Sequence, residues 1–451
     1  MHSDDILYQQ VLQQLEERGN YERSAQSRDI SKLAGIQHLL KDLDEPHKSC
    51  QYIHIAGTNG KGLTGAMLSH ILQGEGYTTG FYSSPHVIDI RERISINGQM
   101  VSKGQFAKYA SRVLQNVKNY PAHIYLSYFD ILTALAFLIF KEAQIEWAIL
   151  ETGLGGKADS TNVTEKKLSI LTPISYDHMN VLGTSLEAIA EEKLGIVREH
   201  IPTVVAPQIK PLMPWLKKRL HDLGSPAVFA EELVIDQKNN GNYQLQWPNG
   251  SQDIIDLKKE GLSVPEQQCL QTALMAYRVL HAPRPDKKQR TSWCRNAMNT
   301  RLPGRLEYHK QVIWRKNKLE FPNMVFDGGH NAAALEALYK QLMSWNIKQY
   351  TLILGFAEDK MVQALKQPLL DLCLPATCII ITKAQSPRAA SLERLTNFIL
   401  PACNSMDPPP VLQQANTAED ALLRAYHSHP LAVIISGSFY LLGEIFQILE
   451  K

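Results

Sequence analysis

Short apolar segments alternate with longer helical ones through the first half of the chain. The candidate strands, rich in β-branched and aromatic residues, cover 52–55, 79–82, 147–150, 168–171 and 203–206. Stretches with the apolar spacing of helices cover 63–74, 128–143 and 185–198. Strands that alternate with helices are typical of a parallel sheet covered by helices. We therefore predict that this part of the chain is an α/β domain with a mainly parallel sheet.

A different pattern follows over residues 229–255. Turn signals at 239–241 and 248–250 separate short runs of alternating polar and apolar residues. Such runs joined by Asn-Gly turns are typical of antiparallel strands. The segment is therefore predicted to be a β-hairpin insert, and a helix is predicted over 266–280.

A second alternation of strands and helices begins after residue 301. Its candidate strands are 323–326, 350–354, 378–382 and 432–436. A chain of 451 residues is also longer than one hydrophobic core usually grows. We predict two domains: 1–297, with a mainly parallel sheet and a phosphate-binding loop, and 298–451, a smaller α/β domain of Rossmann-like type.

Composition and charge narrow the class of protein. A net charge of +2 spread along the chain gives no electrostatic reason to expect nucleic acid or a membrane surface as a partner. The most apolar run, 131–140, is about half the length needed to span a bilayer and is predicted to be a buried helix. The N-terminus lacks a signal pattern, and the six cysteines contain no C-x-x-C pair. We expect a cytoplasmic protein with reduced thiols.

The strongest motif follows the strand 52–55. Residues 57–62 read Gly-Thr-Asn-Gly-Lys-Gly, and a helical pattern starts immediately afterwards. In this context the glycines let backbone N–H groups face phosphate oxygens, while the helix N-terminus adds partial positive charge. Lys61 is predicted to reach the β- and γ-phosphates of ATP. The alternative is a tight glycine turn with an exposed lysine. We predict an ATP site formed by Gly57, Thr58, Asn59, Gly60, Lys61 and Gly62.

This loop differs from a standard Walker A sequence. Gly62 stands where a magnesium-binding Ser or Thr is usual, so ligands for Mg²⁺ must come from elsewhere. Ser84, Glu151 and His178 follow three successive strands of the predicted sheet. Each alone has an ordinary explanation: a turn serine, a solvated glutamate or a surface histidine. Because ligands bind at the carboxyl ends of parallel strands, the three together predict a functional site.

A second glycine-rich segment, 153–158, fits the dinucleotide pattern G-x-G-x-x-A. A dinucleotide-binding loop must open a helix. Residues 157–167 are instead rich in Asp, Ser, Thr and Asn and have no helical apolar spacing. We therefore do not interpret 153–158 as a dinucleotide site.

Taken in order, the motifs resemble one family, the folylpolyglutamate synthases and dihydrofolate synthases, which are relatives of the Mur peptide ligases. The similar blocks are 54–62, 82–86, 92–94, 151–162, 177–178, 303–307, 327–331 and 436–441. The resemblance implies that ATP, a carboxylate and L-glutamate give an amide, ADP and phosphate through an acyl phosphate. It also implies Mg²⁺ as cofactor, dihydropteroate or folate as the carboxylate, and a monomer with no nucleic-acid or membrane partner.

The resemblance implies roles for several residues. Lys61 would hold phosphates, and Ser84, Glu151 and His178 would ligate magnesium, with His178 also counted as catalytic. Lys193 matches a catalytic lysine that family members carry as a carbamate.

In the second domain, the resemblance implies that Arg305 stabilises phosphate charge during catalysis. Asp327 and His330 would contact the nucleotide. The acyl substrate would lie near Phe129 and Asp159.

One departure from the family concerns the residue after Gly-Lys-Gly. The family usually has Ser or Thr there, whereas this chain has Leu63, and the neighbouring Thr64 is a candidate to supply the missing hydroxyl. This leaves two alternatives to a folate enzyme. One is a Mur-like ligase that joins an amino acid to a different carboxylate. The other is an ATP-binding paralogue without ligase activity.

Overall fold

The computed structural model contains two compact units. The first comprises Met1–Ser84 and Arg91–Arg301, and the second comprises Pro85–Ile90 and Leu302–Lys451. The structure describes residues 3–17, 33–118, 120–121, 124–238, 242–255, 262–281, 286–298, 300–404 and 407–450.

The first unit is built on an eight-stranded sheet. Its strands are β1 (Gln51–Ala56), β2 (Thr79–Tyr82), β3 (Ile94–Ile96), β4 (Gln99–Met100), β5 (Trp147–Glu151), β6 (Lys166–Leu171), β7 (Thr203–Val205) and β8 (Ala227–Phe229). The spatial order is β4-β3-β2-β5-β1-β6-β7-β8. Six adjacent strands of this sheet are mutually parallel, namely β2, β5, β1, β6, β7 and β8. The strands β3 and β4 are antiparallel additions at one edge. The predicted parallel sheet is confirmed.

Helices surround this sheet because its central strands are apolar on both faces. They are α1 (Ser3–Glu16), α2 (Leu33–Asp42), α3 (Lys61–Gly74), α4 (Lys103–Lys118), α5 (Tyr128–Glu142), α6 (Met179–Leu182), α7 (Leu186–Leu194), α8 (Met213–Asp222), α9 (Val264–His281) and α10 (Lys287–Met298). The apolar run 131–140 lies in α5 and is buried throughout, as predicted. Among the described helices, none is long and apolar enough to cross a membrane.

The insert after β8 has three strands, one more than the predicted hairpin. These strands are β9 (Val234–Gln237), β10 (Tyr243–Gln246) and β11 (Gln252–Ile255), and they form an antiparallel sheet with β10 in the centre. The predicted turn at 239–241 lies outside the described residues. β9 is short, and three of its four residues are exposed, which is why the sequence pattern of 229–255 did not separate it.

The insert is anchored to α10 through a buried carboxylate. Asp253 of β11 accepts hydrogen bonds from Arg290 Nε at 2.5 Å and Nη2 at 3.0 Å. Trp247 Nε1 donates to the same carboxylate at 2.8 Å. Asp253 is 1% exposed and Arg290 is 8% exposed, so water does not screen this ion pair effectively. The small sheet is therefore fixed by an electrostatic contact as well as by apolar packing.

The second unit is built on a six-stranded sheet of order β12-β13-β17-β14-β15-β16. The strands are β12 (Glu307–Trp314), β13 (Leu319–Asp327), β14 (Tyr350–Leu354), β15 (Ala376–Ile381), β16 (Val411–Gln414) and β17 (Val433–Ser436). Only β12 is antiparallel to its neighbour. The helices are α11 (Ala332–Ser344), α12 (Lys366–Cys373), α13 (Leu392–Asn404), α14 (Ala418–His427) and α15 (Phe439–Glu450).

Both faces of this second sheet are buried. Along β13, Val325 belongs to one apolar cluster, while Met324 and Phe326 belong to the other. Alternate residues of a strand point to opposite faces, so these two clusters are the cores above and below the sheet. The predicted α/β class therefore holds for both units. The domain limits 1–297 and 298–451 remain a prediction.

A short segment from the first third of the chain completes the second unit. Val87 packs against the apolar cluster that contains Phe439 and Leu442. A Cβ added to Gly443 of α15 would lie 2.0 Å from the carbonyl oxygen of Val87. Glycine is therefore needed at this position because the backbone of the 85–90 segment lies directly on α15.

Candidate active site

The phosphate loop joins β1 to α3, as the sequence predicts. A Cβ at Gly57 would lie 1.8 Å from Thr172 Oγ1, so only glycine fits beside the end of β6. Gly60 has φ +80 and precedes the first residue of α3, a left-handed conformation that favours glycine. These two glycines allow the chain to turn sharply from strand to helix.

Hydrogen bonds fix the first half of this loop to the segment after β6. The backbone N–H groups of Thr58 and Asn59 donate to the carbonyl of Pro173 at 2.9 and 3.2 Å. Thr58 Oγ1 donates to Ser175 O at 3.1 Å and accepts from Ser175 N at 3.1 Å. The first N–H groups of a helix have no intrahelical acceptor. The N–H groups at the start of α3, beginning with Lys61, are therefore the candidates to bind an anion, and this role remains a prediction.

Lys61 lies between the loop and the carboxyl end of β5. Its Nζ donates to the carbonyl oxygens of Gly57 and Thr58, both at 3.3 Å. The same Nζ is 3.7 Å from Glu151 Oε1. Glu151 is the last residue of β5 and is paired with Ile55 of β1, which places its carboxylate beside the loop. The structure thus brings together two residues that are 90 positions apart in the sequence.

Glu151 is the strongest candidate for a metal ligand. Its carboxylate is 2% exposed, and Oε2 accepts a hydrogen bond from Ser84 N at 3.3 Å. The Ser84 residue is therefore adjacent, and a carboxylate with a hydroxyl offers the oxygen ligands that Mg²⁺ prefers. No group of three His, Cys, Asp or Glu side chains poised to hold a metal is present in the described part of the chain. The predicted set contains only two such side chains, so phosphate oxygens and water would complete it.

His178 lies at the start of α6, in a left-handed conformation with φ 47. Its backbone N–H donates to Asp177 Oδ1 at 2.8 Å, and its Nε2 is 3.9 Å from the same oxygen. About a quarter of the His178 side chain is exposed. A histidine held by an adjacent carboxylate and open to solvent fits the role of a ligand, which remains a prediction.

Lys193 of α7 reaches the phosphate loop directly. Its Nζ donates to Gly57 O at 2.7 Å, and the residue is 5% exposed. Gly57 O therefore accepts hydrogen bonds from two lysine side chains, because Lys61 Nζ also donates to it. The resemblance implied a catalytic lysine at position 193. The structure places its side chain against the backbone of the phosphate loop, and the catalytic role remains a prediction.

The two predicted acyl-substrate residues lie together near the loop after β5. Phe129 is 4% exposed, and a Cβ at Gly153 would lie 2.7 Å from its ring. Asp159 is 1% exposed and accepts hydrogen bonds from the backbone N–H groups of Gly153, Leu154 and Thr161. The carboxylate of Asp159 thus holds the loop backbone, and a contact with substrate remains a prediction.

In the second unit, Asp327 joins two of the sequence blocks that the resemblance rests on. It is the last residue of β13, and its two carboxylate oxygens accept from Leu306 N and Gly329 N, both at 2.9 Å. Gly328 N also donates to Gly304 O at 2.8 Å. The block that contains Arg305 is therefore fixed to the block that contains His330.

A third block closes this cluster. The guanidinium of Arg305 lies 4.7 Å from the centre of the Phe439 ring, a cation–π contact. The ring of His330 is 6.1 Å from that of Phe439, and His330 Nδ1 donates to Gly328 O at 2.9 Å. This hydrogen bond makes Nδ1 the protonated nitrogen of His330, and a contact of His330 with the nucleotide remains a prediction.

Asp327 is expected to make the stability of the second unit depend on pH. Burial raises the pKa of Asp327 to about 6 from 3.8, although its two N–H partners and Arg305 act in the opposite direction. The folded state then binds the proton more tightly than the unfolded state. The contribution of this proton to the free energy of unfolding is therefore fully present below about pH 4 and is lost as the pH rises through about 6.

The Asp327→Asn variant removes this titration. Its melting temperature is expected to rise relative to that of the wild type between pH 4.5 and pH 7, even if the variant is less stable at every pH. Calorimetry across this range measures the difference. Glu336→Gln, which removes an exposed carboxylate of α11, is the control. A constant difference between the Asp327 variant and the wild type would contradict the prediction.

The sequence predicted no role for four polar residues that the fold brings together in the first unit. Lys166 Nζ lies 3.0 Å from His54 Nδ1, and His54 Nε2 lies 2.7 Å from Thr161 Oγ1. Lys166 also donates to Asn162 Oδ1 at 2.8 Å. The available signal was the position of His54, a polar residue in the middle of an apolar central strand.

Comparison with known proteins defines the class. A family model for the Mur ligase middle domain matches residues 55–232, which include the phosphate loop, Glu151 and Lys193. The chain is 29% identical over 433 residues to a dihydrofolate synthase/folylpolyglutamate synthase of Bacillus subtilis, covering 92% of this chain and 94% of that protein. It is 28% identical to a dihydrofolate synthetase of Saccharomyces cerevisiae, covering 92% of this chain and 97% of that protein.

Solved structures agree with this class. The folylpolyglutamate synthase of Mycobacterium tuberculosis complexed with ADP and AMPPCP superposes with a TM-score of 0.82 at 25% identity, covering 100% of this chain and 99% of that one. A bifunctional enzyme of Yersinia pestis with AMPPNP and Mn gives 0.78 at 25% identity, covering 98% of both chains. The fold and the phosphate-loop site therefore define an ATP-dependent, ADP-forming ligase of the Mur type. Within that class, the chain is similar over nearly its whole length to folylpolyglutamate synthases and dihydrofolate synthases.

Proposed function

We propose that this protein uses ATP and Mg²⁺ to join L-glutamate to dihydropteroate, to folates or to both. The observation that carries the proposal is the contact between Lys61 and the buried Glu151 at the carboxyl edge of the parallel sheet. A phosphate-binding lysine beside a carboxylate at that edge suits a metal-bound nucleoside triphosphate. The names of the similar enzymes of Bacillus subtilis and Saccharomyces cerevisiae support the folate substrates.

The first step transfers a phosphoryl group. A carboxylate oxygen of the substrate attacks the γ-phosphorus of ATP, the bond to the β,γ-bridging oxygen breaks, and ADP leaves with the electron pair. In our proposal, Lys61 and the N–H groups at the start of α3 hold the phosphates. Glu151, Ser84 and His178 would hold Mg²⁺, which neutralises negative charge on the phosphates when it is bound. Most of the acceleration then comes from positioning and from electrostatic stabilisation.

The second step forms the amide. The amine of L-glutamate attacks the carbonyl of the acyl phosphate, inorganic phosphate leaves, and the nitrogen loses a proton. Lys193, on the same loop carbonyl as Lys61, is proposed to act near the phosphates, as a cation or as a carbamate. In the second unit, the proposed roles are phosphate stabilisation for Arg305 and nucleotide contacts for Asp327 and His330. Phe129 and Asp159 are proposed to face the acyl substrate.

Turnover of two folate acceptors tests the proposal. Purified protein is incubated with Mg²⁺, ATP and either dihydropteroate or tetrahydrofolate, with and without L-glutamate. We expect ADP release only when both substrates are present, with a product heavier by one glutamyl unit. The acceptor that works separates the two folate activities. No turnover with either acceptor, in protein that binds ATP, would favour a different carboxylate or a paralogue without ligase activity.

Thr64 is the neighbour that could replace the hydroxyl that the family usually places after Gly-Lys-Gly. Thr64 is fully buried, and its Oγ1 has no hydrogen-bond partner among the described residues. A side chain with no exposed surface is poorly placed to present its hydroxyl to an entering nucleotide, and whether Thr64 substitutes stays a prediction. Leu63, by contrast, is partly exposed in the first turn of α3.

Leu63→Ser is expected to strengthen binding of the magnesium–nucleotide complex. A hydrogen bond from the new hydroxyl to a charged phosphate is worth about 1.5–3 kcal/mol, or roughly tenfold to a hundredfold in the dissociation constant. Calorimetric titration with a non-hydrolysable ATP analogue and Mg²⁺ measures this change. Leu63→Ala removes the same side chain without adding a hydroxyl. Equal affinity in the Ser and Ala variants would show that the hydroxyl makes no contact.

We also propose that the protein acts as a monomer in the cytoplasm, as the resemblance implies. Each of the two units has its own apolar core within one chain, which supports a monomeric enzyme. Sedimentation of the purified protein with and without ATP would check its oligomeric state.

A further inference from the structure

A continuous chain of buried hydrogen bonds crosses the first unit from β6 to the loop after β5. It runs from Lys166 through His54 and Thr161 to Asp159, with heavy-atom distances of 3.0, 2.7 and 2.5 Å. All four residues are at most 3% exposed. Buried polar groups that are fully paired fix one arrangement of their neighbours, because breaking any one bond leaves an unpaired group.

The chemistry of the side chains determines which atom donates in each of these hydrogen bonds. The carboxylate of Asp159 can only accept, so the single proton of the Thr161 hydroxyl points to Oδ1. Thr161 Oγ1 must then accept from His54 Nε2–H, which leaves the lone pair of His54 Nδ1 facing Lys166 Nζ. Burial and the nearby charges of Lys166 and Arg198 lower the pKa of His54 well below its usual range, which agrees with this neutral tautomer.

Lys166, at the start of this chain of hydrogen bonds, can donate to His54 Nδ1 whether its amine is charged or neutral. Burial lowers the pKa of Lys166 to about 6. A neutral amine still has two N–H groups, and Lys166 has two acceptors, His54 Nδ1 and Asn162 Oδ1. With a neutral Lys166, every N–H and O–H group along this chain of hydrogen bonds therefore has an acceptor.

At its far end, this chain of hydrogen bonds holds the backbone of the loop after β5. Asp159 Oδ2 accepts from Gly153 N at 2.9 Å and from Leu154 N at 3.0 Å. These residues follow Glu151 by two and three positions. Gly153 also lies against the ring of Phe129, so a shift of this backbone would move the wall of the predicted acyl-substrate site. Ser160, which follows Asp159, donates a separate hydrogen bond from its Oγ to Asp130 Oδ1 in the cap of α5 at 2.5 Å.

We infer that His54 and Thr161 are positioning residues, which hold the 153–154 backbone against Phe129 through Asp159 and so set the affinity for the acyl substrate. They do not touch substrate themselves. His54 lies in β1, the strand that leads into the phosphate loop, so one chain of bonds connects that strand to the acyl side of the site. The inference rests on the proposed function, because it requires that the acyl substrate bind at Phe129.

The test compares Thr161→Val with two variants in the same turn. Thr161→Val keeps the shape of the side chain but removes one hydrogen bond from His54 and one from Asp159. Thr161→Ser keeps the hydroxyl. Thr164→Val is the matched control, since Thr164 is also buried and its hydroxyl donates only to the carbonyl of Thr161 at 3.4 Å. For each variant, KM for the folate acceptor, KM for ATP, kcat and the melting temperature are measured.

Thr161→Val is expected to raise KM for the folate acceptor about tenfold, with KM for ATP changed less than about twofold. Thr161→Ser is expected to restore the acceptor KM, and Thr164→Val to leave it unchanged. Equal changes in both KM values, or the same acceptor KM in both valine variants, would overturn the inference. A wild-type protein inactive with folate acceptors would instead refute the proposed substrate.

A second variant keeps the test decisive if Thr161→Val does not fold. Lys166→Met matches the length of the buried side chain and removes only the amine that orients His54. It is expected to raise the acceptor KM about threefold, without lowering the melting temperature, because burying a lysine is itself costly. An unchanged acceptor KM in this variant would overturn the inference.

Discussion

Glu151→Gln is expected to lower the rate of ADP release by about 10³-fold or more, the loss typical when a group that stabilises transferring charge is removed. The glutamine side chain has nearly the same shape but no charge. It cannot bind Mg²⁺ as a carboxylate does, and it leaves the ammonium of Lys61, 3.7 Å away, without its neutralising partner. Steady-state ADP release with both substrates present measures the rate, and magnesium titration distinguishes weaker metal binding from slower chemistry.

Glu146→Gln is the matched control. Glu146 immediately precedes β5, is exposed, and accepts a hydrogen bond from Thr78 N at 2.8 Å. It therefore lies at the other end of the strand that carries Glu151. The control is expected to retain nearly the full rate. If Glu151→Gln kept more than a tenth of the wild-type rate, the assignment of the metal site would have to be abandoned.

Asp253→Ala is expected to lower the free energy of unfolding of the first unit by about 3–5 kcal/mol. The change leaves the guanidinium of Arg290 buried without a counter-charge and leaves Trp247 Nε1 without an acceptor. Urea unfolding followed by tryptophan fluorescence measures the effect, since Trp247 and Trp293 lie at this junction with ring centres 6.3 Å apart.

Two further variants show whether the loss of stability in Asp253→Ala comes from the buried ion pair. Asp236→Ala removes an exposed aspartate from β9 of the same small sheet and is expected to change stability by less than about 0.5 kcal/mol. The double variant Asp253→Leu with Arg290→Met replaces the buried pair by apolar side chains and is expected to recover much of the loss. If Asp253→Ala lowered the free energy of unfolding by less than about 1 kcal/mol, water would have to hydrate the unpaired guanidinium of Arg290.

Most parallel strands of the two units were predictable because they are short, continuous apolar runs bounded by turns. The parallel strands β8 and β16 were not among the predicted strands, and β16 ends in two glutamines. β1, β2 and β5 begin within one residue of the predicted limits. The antiparallel additions were not predictable in the same way. β4 has two residues, both exposed, and so leaves no hydrophobic pattern. Its partner β3 has only three residues, so neither strand is long enough to show a periodic pattern.

For the site, the rule that polar residues gather at the carboxyl ends of parallel strands was sufficient to predict that Glu151 and Ser84 lie together. It did not predict that the amides of Thr58 and Asn59 are already bonded to Pro173. Nor does a sequence show that Lys166 is buried, because lysine is usually exposed and its environment depends on how β6 pairs with β1.

The backbone crosses from one unit to the other three times, after residues 84, 90 and 301. Neither unit is therefore a single continuous stretch of polypeptide. A fragment that starts at Leu302 would lack Val87 and would leave the surface of α15 around Gly443 uncovered. Exchanging the second unit between homologous enzymes, as a cassette, would therefore require grafting the 85–90 segment together with it, because these six residues belong to the cassette although they are encoded more than 200 residues earlier.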